Sequence, residues 1–111
     1  MGIITTLLSW YEALPSVTLD ELLDFHVKFE MIHPFADANG RVGRLIMFKE
    51  CLRHDIPPFI LDDKRRTGYL KGIREWNEND TAMQVVCRKA QERFIRQLEL
   101  QVLLETQAYF R

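Results

Sequence analysis

Apolar side chains recur at helical spacing along almost the whole of this chain, and the pattern breaks at a few sharp points. Residues 3–14 are densely apolar and stop at Pro15. They predict a short helix with Leu7, Leu8 and Tyr11 or Leu14 on its inner face. Thr18-Leu19-Asp20-Glu21 has the form of a capping box. It opens a second helix to about Ile32, with Leu22, Phe25, His26, Phe29 and Ile32 at helical spacing. His33-Pro34 ends that helix, because the residue before a proline is pushed sterically out of the helical region.

Residues 33–39 read as a polar loop. The helical period resumes at Gly40 through Val42, Leu45, Ile46, Phe48, Lys49 and Leu52, so a third helix runs to about Arg53. Residues 55–61 contain Pro57-Pro58 and read as an extended connection, with Phe59-Ile60-Leu61 as a candidate short strand. Asp62-Asp63 can cap a fourth helix to about Asn77, with Tyr69, Leu70, Ile73 and Trp76 inward. After a turn at residues 77–80, Met83, Val86, Cys87, Ala90, Phe94, Leu98 and Val102 form one stripe of a long amphipathic helix over about 81–108. The expected fold is all-α, with about five helices, little or no strand, and a single domain over residues 1–111.

Composition narrows the function. At 111 residues and 47% hydrophobic content the chain can build one modest core. Its formal net charge of -1 provides no basic field for nucleic acid. The basic run Lys64-Arg65-Arg66 reads as a solvated helix start. Cys51 and Cys87 lie far apart among apolar residues and read as buried reduced thiols, which fits a reducing, cytoplasmic setting. No basic segment followed by a long apolar run marks a signal peptide. No stretch approaches the roughly 18 apolar residues of a membrane span. His26 reads as a core histidine and His54 as a cation near a helix C-terminus. Neither histidine has metal-site spacing with Cys51. Trp10 and Trp76 read as core or rim.

The chemistry concentrates in His33-Pro34-Phe35-Ala36-Asp37-Ala38-Asn39-Gly40-Arg41-Val42-Gly43-Arg44. This loop runs into a helix N-terminus, whose free N–H groups and partial positive charge attract phosphate. Gly40 has no Cβ to keep a phosphate from the backbone. Arg41 and Arg44 are three apart on the helix surface and can each grip phosphate oxygens bidentately. Asp37 supplies one carboxylate, and Mg²⁺ typically takes one or two together with substrate phosphates. His33 is the side chain suited to accept a proton near neutral pH. These are the parts of a phosphoryl or nucleotidyl transfer site. The plainer alternative is a capped helix start, with Asp37 and Asn39 closing the loop and both arginines solvated.

The same segment resembles the Fic signature, which reads HPF, two residues with the second acidic, Gly-Asn-Gly-Arg, two residues, Arg. His33, Pro34, Phe35, Asp37, Asn39, Gly40, Arg41 and Arg44 match. Ala38 departs from the usual glycine. The helix ending Phe29-Glu30-Met31-Ile32, the run from Leu45 to Asp62, and Tyr69 with the stretch from Lys71 to Trp76 are also similar, so the resemblance covers about residues 7–100. It implies a protein adenylyltransferase that moves AMP from ATP to a Tyr, Thr or Ser hydroxyl of a target protein. His33 would be the general base and Asp37 the Mg²⁺ ligand. Ala38, Asn39 and Gly40 would cradle phosphate through backbone N–H groups, and Arg41 and Arg44 would hold the departing phosphates. Pro34 and Phe35 would shape the loop, and Tyr69 would either lie near the adenine or simply pack.

The related Doc proteins carry Asp-Ala-Asn-Lys-Arg here and act as kinases, so Ala38 is compatible with that chemistry. Gly40, in place of their lysine, points back to AMP transfer. Fic proteins usually have a flap hairpin before the helix that starts here near Ile3, and many have an inhibitory Ser/Thr-x-x-x-Glu-Gly/Asn helix. Neither is expected in this chain. Inhibition would then come from an antitoxin-like partner, or the chain would act as a non-catalytic interaction module. Leu100, Val102, Leu103, Leu104, Tyr109 and Phe110 on the last helix would suit a partner or a second copy, or would pack.

Overall fold

The structure is a computed structural model and describes residues 2–33 and 39–109. Within them lie five α-helices and one 3₁₀ turn, and no strand forms among the described residues. The all-α expectation holds, and the candidate strand at 59–61 is irregular chain instead. Pro57 and Pro58 have no N–H to donate to a ladder, and no described strand lies beside them. Contacts divide the chain into two compact units, Met1–Ile56 and Pro57–Arg111.

In the first unit α1 (Ile3–Glu12) and α3 (Asn39–Arg53) each pack on α2 (Leu19–Ile32). α1 ends two residues before the expected Leu14, in a closing turn where the Ala13 N–H reaches Ser9 O at 3.1 Å. Leu7 and Tyr11 are buried as expected, but Leu8 faces solvent. α2 opens on the expected capping box, with Glu21 Oε2 accepting the Thr18 backbone N–H at 3.1 Å. Leu22, Leu23, Phe25, His26, Val27 and Phe29 fill the core from α2. Full burial of a leucine is worth about 1.5–3 kcal/mol, so this one helix supplies much of the unit's stability. Tyr11 stacks on Phe25 with ring centroids 4.6 Å apart.

α3 departs most from its sequence pattern. The residues at helical spacing are Val42, Leu45, Ile46, Phe48, Lys49 and Leu52. The buried face is Gly43, Met47, Glu50 and Cys51, while Leu45 is 70% and Leu52 57% exposed. A count of apolar positions gives no weight to glycine or to a buried carboxylate, and those residues set the contact. Glu50 is buried with Arg53 Nη1 at 3.4 Å and His54 Nε2 at 3.5 Å. Burial, with the Glu50 carboxylate beside it, pushes the Tyr11 phenol above its ordinary range. α3 closes with Asp55 in the left-handed region (φ 57°) and the Ile56 N–H on Cys51 O at 2.9 Å. That is the Schellman arrangement, and Asp is among the residues that tolerate it.

In the second unit a 3₁₀ turn (Asp63–Arg65) leads into α4 (Arg66–Glu75), which packs on α5 (Thr81–Tyr109). Asp62 does not cap the helix with its side chain. Its carboxylate takes Arg65 Nη1 at 2.7 Å, and that hydrogen bond holds it below the usual carboxylate range. Arg65 is therefore paired rather than simply solvated. Tyr69 is buried, Ile73 and Trp76 are half-buried, and Leu70 is exposed, contrary to expectation. The helices meet closely at Gly72, where an added Cβ would lie 2.9 Å from the Met83 Cα. Gln91 Nε2 donates to the Pro57 carbonyl at 2.7 Å, which fixes the proline segment.

The α5 stripe is buried at Met83, Val86, Cys87 and Ala90, but Leu98 and Val102 are exposed. Leu100, Leu103 and Leu104 are exposed too; the Tyr109 side chain and Phe110 lie outside the described residues. Cys51 and Cys87 are free and buried, as expected. No helix among the described residues is long and apolar enough to cross a membrane.

Candidate active site

α2 ends at His33 and α3 begins at Asn39, so the motif spans the junction of two helices that pack on each other. Pro34, Phe35, Asp37 and Ala38 lie outside the described residues. The structure places His33, Asn39, Gly40, Arg41 and Arg44.

His33 caps α2 in the left-handed conformation (φ 51°, ψ 62°), with its N–H on Phe29 O at 3.3 Å. The helix thus stops in a left-handed turn, not in the extended backbone that a following proline favours. The side chain is exposed, with Nδ1 3.3 Å from the Met31 carbonyl. A carbonyl only accepts, so this contact favours the tautomer with the proton on Nδ1. Nε2 then keeps its lone pair for an incoming proton.

Asn39 and Gly40 are the first residues of α3, whose first turn holds no acidic side chain. The partial positive charge that a helix carries at its first turn therefore meets no carboxylate from within that turn. Arg41 is exposed and Arg44 half-buried. A Cβ on Gly40 would lie 3.0 Å from Arg44 Nη1. The end of the guanidinium therefore lies close to the first turn of α3, beside Gly40.

Glu30, one turn before His33, has its side chain 12% exposed. Its Oε1 is 3.9 Å from His26 Nε2 and occupies the place of a Cβ on Gly43. Burial raises the Glu30 carboxyl above its ordinary range, and the charges of Arg44 and His33 oppose that rise. His26 is itself a core residue, as expected. Burial, reinforced by Arg44 and opposed by the Gly43 backbone, lowers its pKa to about 4. His26 is thus neutral near pH 7.

Glu30 and Gly43 lie outside the set of residues that side-chain type and spacing single out. The available signals were a carboxylate on an otherwise apolar stretch of α2 and a glycine inside a helix. An interior glycine costs about 1 kcal/mol relative to alanine and so asks for a packing reason. Among the described residues no cluster of three or more His, Cys, Asp or Glu could hold a metal ion. Beside the site, Trp10 and Met31 line an apolar groove of about 520 Å³ between α1 and α2. Lys28 Nζ closes one wall, 4.5 Å from the Trp10 ring centroid.

Comparison with known proteins finds similarity over the segment that holds these residues. The Fic/DOC family model matches residues 3–51, which contain all of the motif. Proteins named protein adenylyltransferase Fic from Drosophila virilis, Drosophila sechellia and Drosophila melanogaster are each 40% identical to this chain over 55 residues. That alignment covers 50% of this chain and 11% of each relative's length.

Proposed function

We propose that residues 3–51, the segment similar to the Fic/DOC family, form the core of a protein adenylyltransferase that transfers AMP from ATP to a Tyr, Thr or Ser hydroxyl of a target protein. The observation that carries this reading is the pairing of an exposed His33, with Nε2 available, and an α3 that carries Arg41 and Arg44 and has no acidic side chain in its first turn. The names of the relatives support the choice of AMP as the transferred group.

In this reading His33 takes the proton of the target hydroxyl through Nε2. The hydroxyl oxygen bonds to the α-phosphorus, and the bond from that phosphorus to the α,β-bridging oxygen breaks. Pyrophosphate leaves, held by the guanidinium groups of Arg41 and Arg44. The backbone N–H groups at Ala38, Asn39 and Gly40 bind the phosphate oxygens. Asp37 would hold Mg²⁺, which neutralises phosphate charge when bound.

A second reading has one observation in its favour. Ala38 stands where Doc-like kinases also have alanine, and in such an enzyme the γ-phosphoryl group is transferred instead. Calorimetric titration of ATP with Mg²⁺ into the parent chain, Arg44→Ala and Asp37→Ala tests the site. Binding by the parent that is lost in both variants is the expected result. Absence of binding by the parent overturns the reading and favours an interaction module. Label reaching protein from α-labelled ATP supports AMP transfer, and label from γ-labelled ATP alone supports the kinase.

A further inference from the structure

We propose that one face of α5 is the docking surface for a second copy of this chain, with the two helices antiparallel. The face lies in the second unit, outside residues 3–51, so the proposal does not depend on the adenylyltransferase reading. It is made of Val85, Lys89, Glu92, Arg96, Glu99 and Leu103, all of them exposed. Successive members are four, three, four, three and four residues apart. At 3.6 residues per turn such steps keep all six on a single stripe. α4 packs on the other side of the helix, where Met83, Val86, Cys87 and Ala90 are buried. Among the described residues none of the four charged groups is engaged in an ion pair.

The order of the charges identifies the occupant. About residue 94, Glu92 mirrors Arg96, Lys89 mirrors Glu99 and Val85 mirrors Leu103, so each position has its complement at equal distance on the other side. A second α5 laid antiparallel on this face brings Glu92 against Arg96 and Lys89 against Glu99. Twofold symmetry repeats both pairs, which makes four ion pairs, and sets Val85 against Leu103 at each end. The overlap from residue 85 to 103 is about 27 Å long at 1.5 Å per residue. Parallel pairing in register would instead set every charge against its own copy, which is repulsive. Exposed ion pairs are individually weak, but the pattern fixes both direction and register, and it is complementary to itself.

Sedimentation velocity of the whole chain at rising concentration tests this. A dimer that weakens with added salt is expected, because exposed pairs are screened. Glu92→Arg and Arg96→Glu each turn two attractive pairs into repulsive ones, so each variant alone should dimerise at least about tenfold more weakly than the parent. Mixed together, the two variants present opposite charges to each other again, and the mixture should dimerise as the parent does. Both positions are exposed, and thermal melts check that each variant is folded. A parent chain that stays monomeric up to about 1 mM overturns the proposal. So does a dimer that survives both charge reversals, or a mixture of the variants that stays monomeric. If Leu98→Glu dissociates a dimer that the reversals leave intact, the second copy sits on the leucine face of α5 instead, and the proposal fails.

Discussion

The carboxylate of Glu30 on α2 occupies the volume that a β-carbon on Gly43 of α3 would need. Two residues thirteen positions apart thus share one space, and the helix contact beneath the motif depends on one of them having no side chain.

Gly43→Ala is accordingly expected to lower stability even though alanine is the better helix former. The new methyl group meets Glu30 and the Phe29 ring, and overpacking of this kind costs about 1–3 kcal/mol. Urea denaturation of the parent and the variant measures it. A variant as stable as the parent would show that Glu30 swings away at no cost.

His33→Ala is expected to separate chemistry from binding. The ring is exposed and lies outside the phosphate-holding set, so ATP·Mg²⁺ affinity should match the parent by calorimetry. Transfer from α-labelled ATP should fall by about 10²- to 10⁴-fold, the usual contribution of a general base. Equal loss of both would assign His33 to ligand binding.

His26 links stability to pH. Its pKa is lowered from 6.5 to about 4 in the folded chain, chiefly by burial. Between those values the unfolded chain binds more protons than the folded one, so stability is lost as pH falls from 6.5 toward 4 and is fully present above 6.5. The raised Glu30 carboxyl acts in the opposite sense as pH rises above its ordinary range. Melting temperature across pH 4–7 for the parent and His26→Gln isolates the histidine. The variant should show a shallower loss on acidification, and an equal slope would assign the dependence elsewhere.

Gly68 and Gly72 give a paired prediction for the α4–α5 contact. A Cβ at Gly72 would press on the Met83 backbone at 2.9–3.0 Å, and backbone cannot move aside cheaply. Gly72→Ala should destabilise by about 1–3 kcal/mol. At Gly68 the nearest atom would be Val86 Cγ2 at 3.6 Å, an ordinary contact. Gly68→Ala should be neutral or stabilise by up to about 1 kcal/mol through helix propensity. Chemical denaturation of both variants checks the contrast.

Much of this protein is legible from local chemistry. Apolar spacing located the five helices of the described residues, the Thr18–Glu21 box placed the start of α2, and Pro15 and the His33-Pro34 break lie just beyond the ends of α1 and α2. The motif residues His33, Asn39, Gly40, Arg41 and Arg44 could be picked out because the roles proposed for them depend on side-chain type and spacing within a few residues. The faces of α3 and α4 were not legible. Leu45, Leu52 and Leu70 look like core in the pattern yet face solvent, while Gly43, Glu50 and Gly72 look like surface and are buried. Which side of a helix is buried depends on what the facing helix offers. At Gly43 and Gly72 that is decided by close approach to Glu30 and Met83, partners on other helices that no local period encodes.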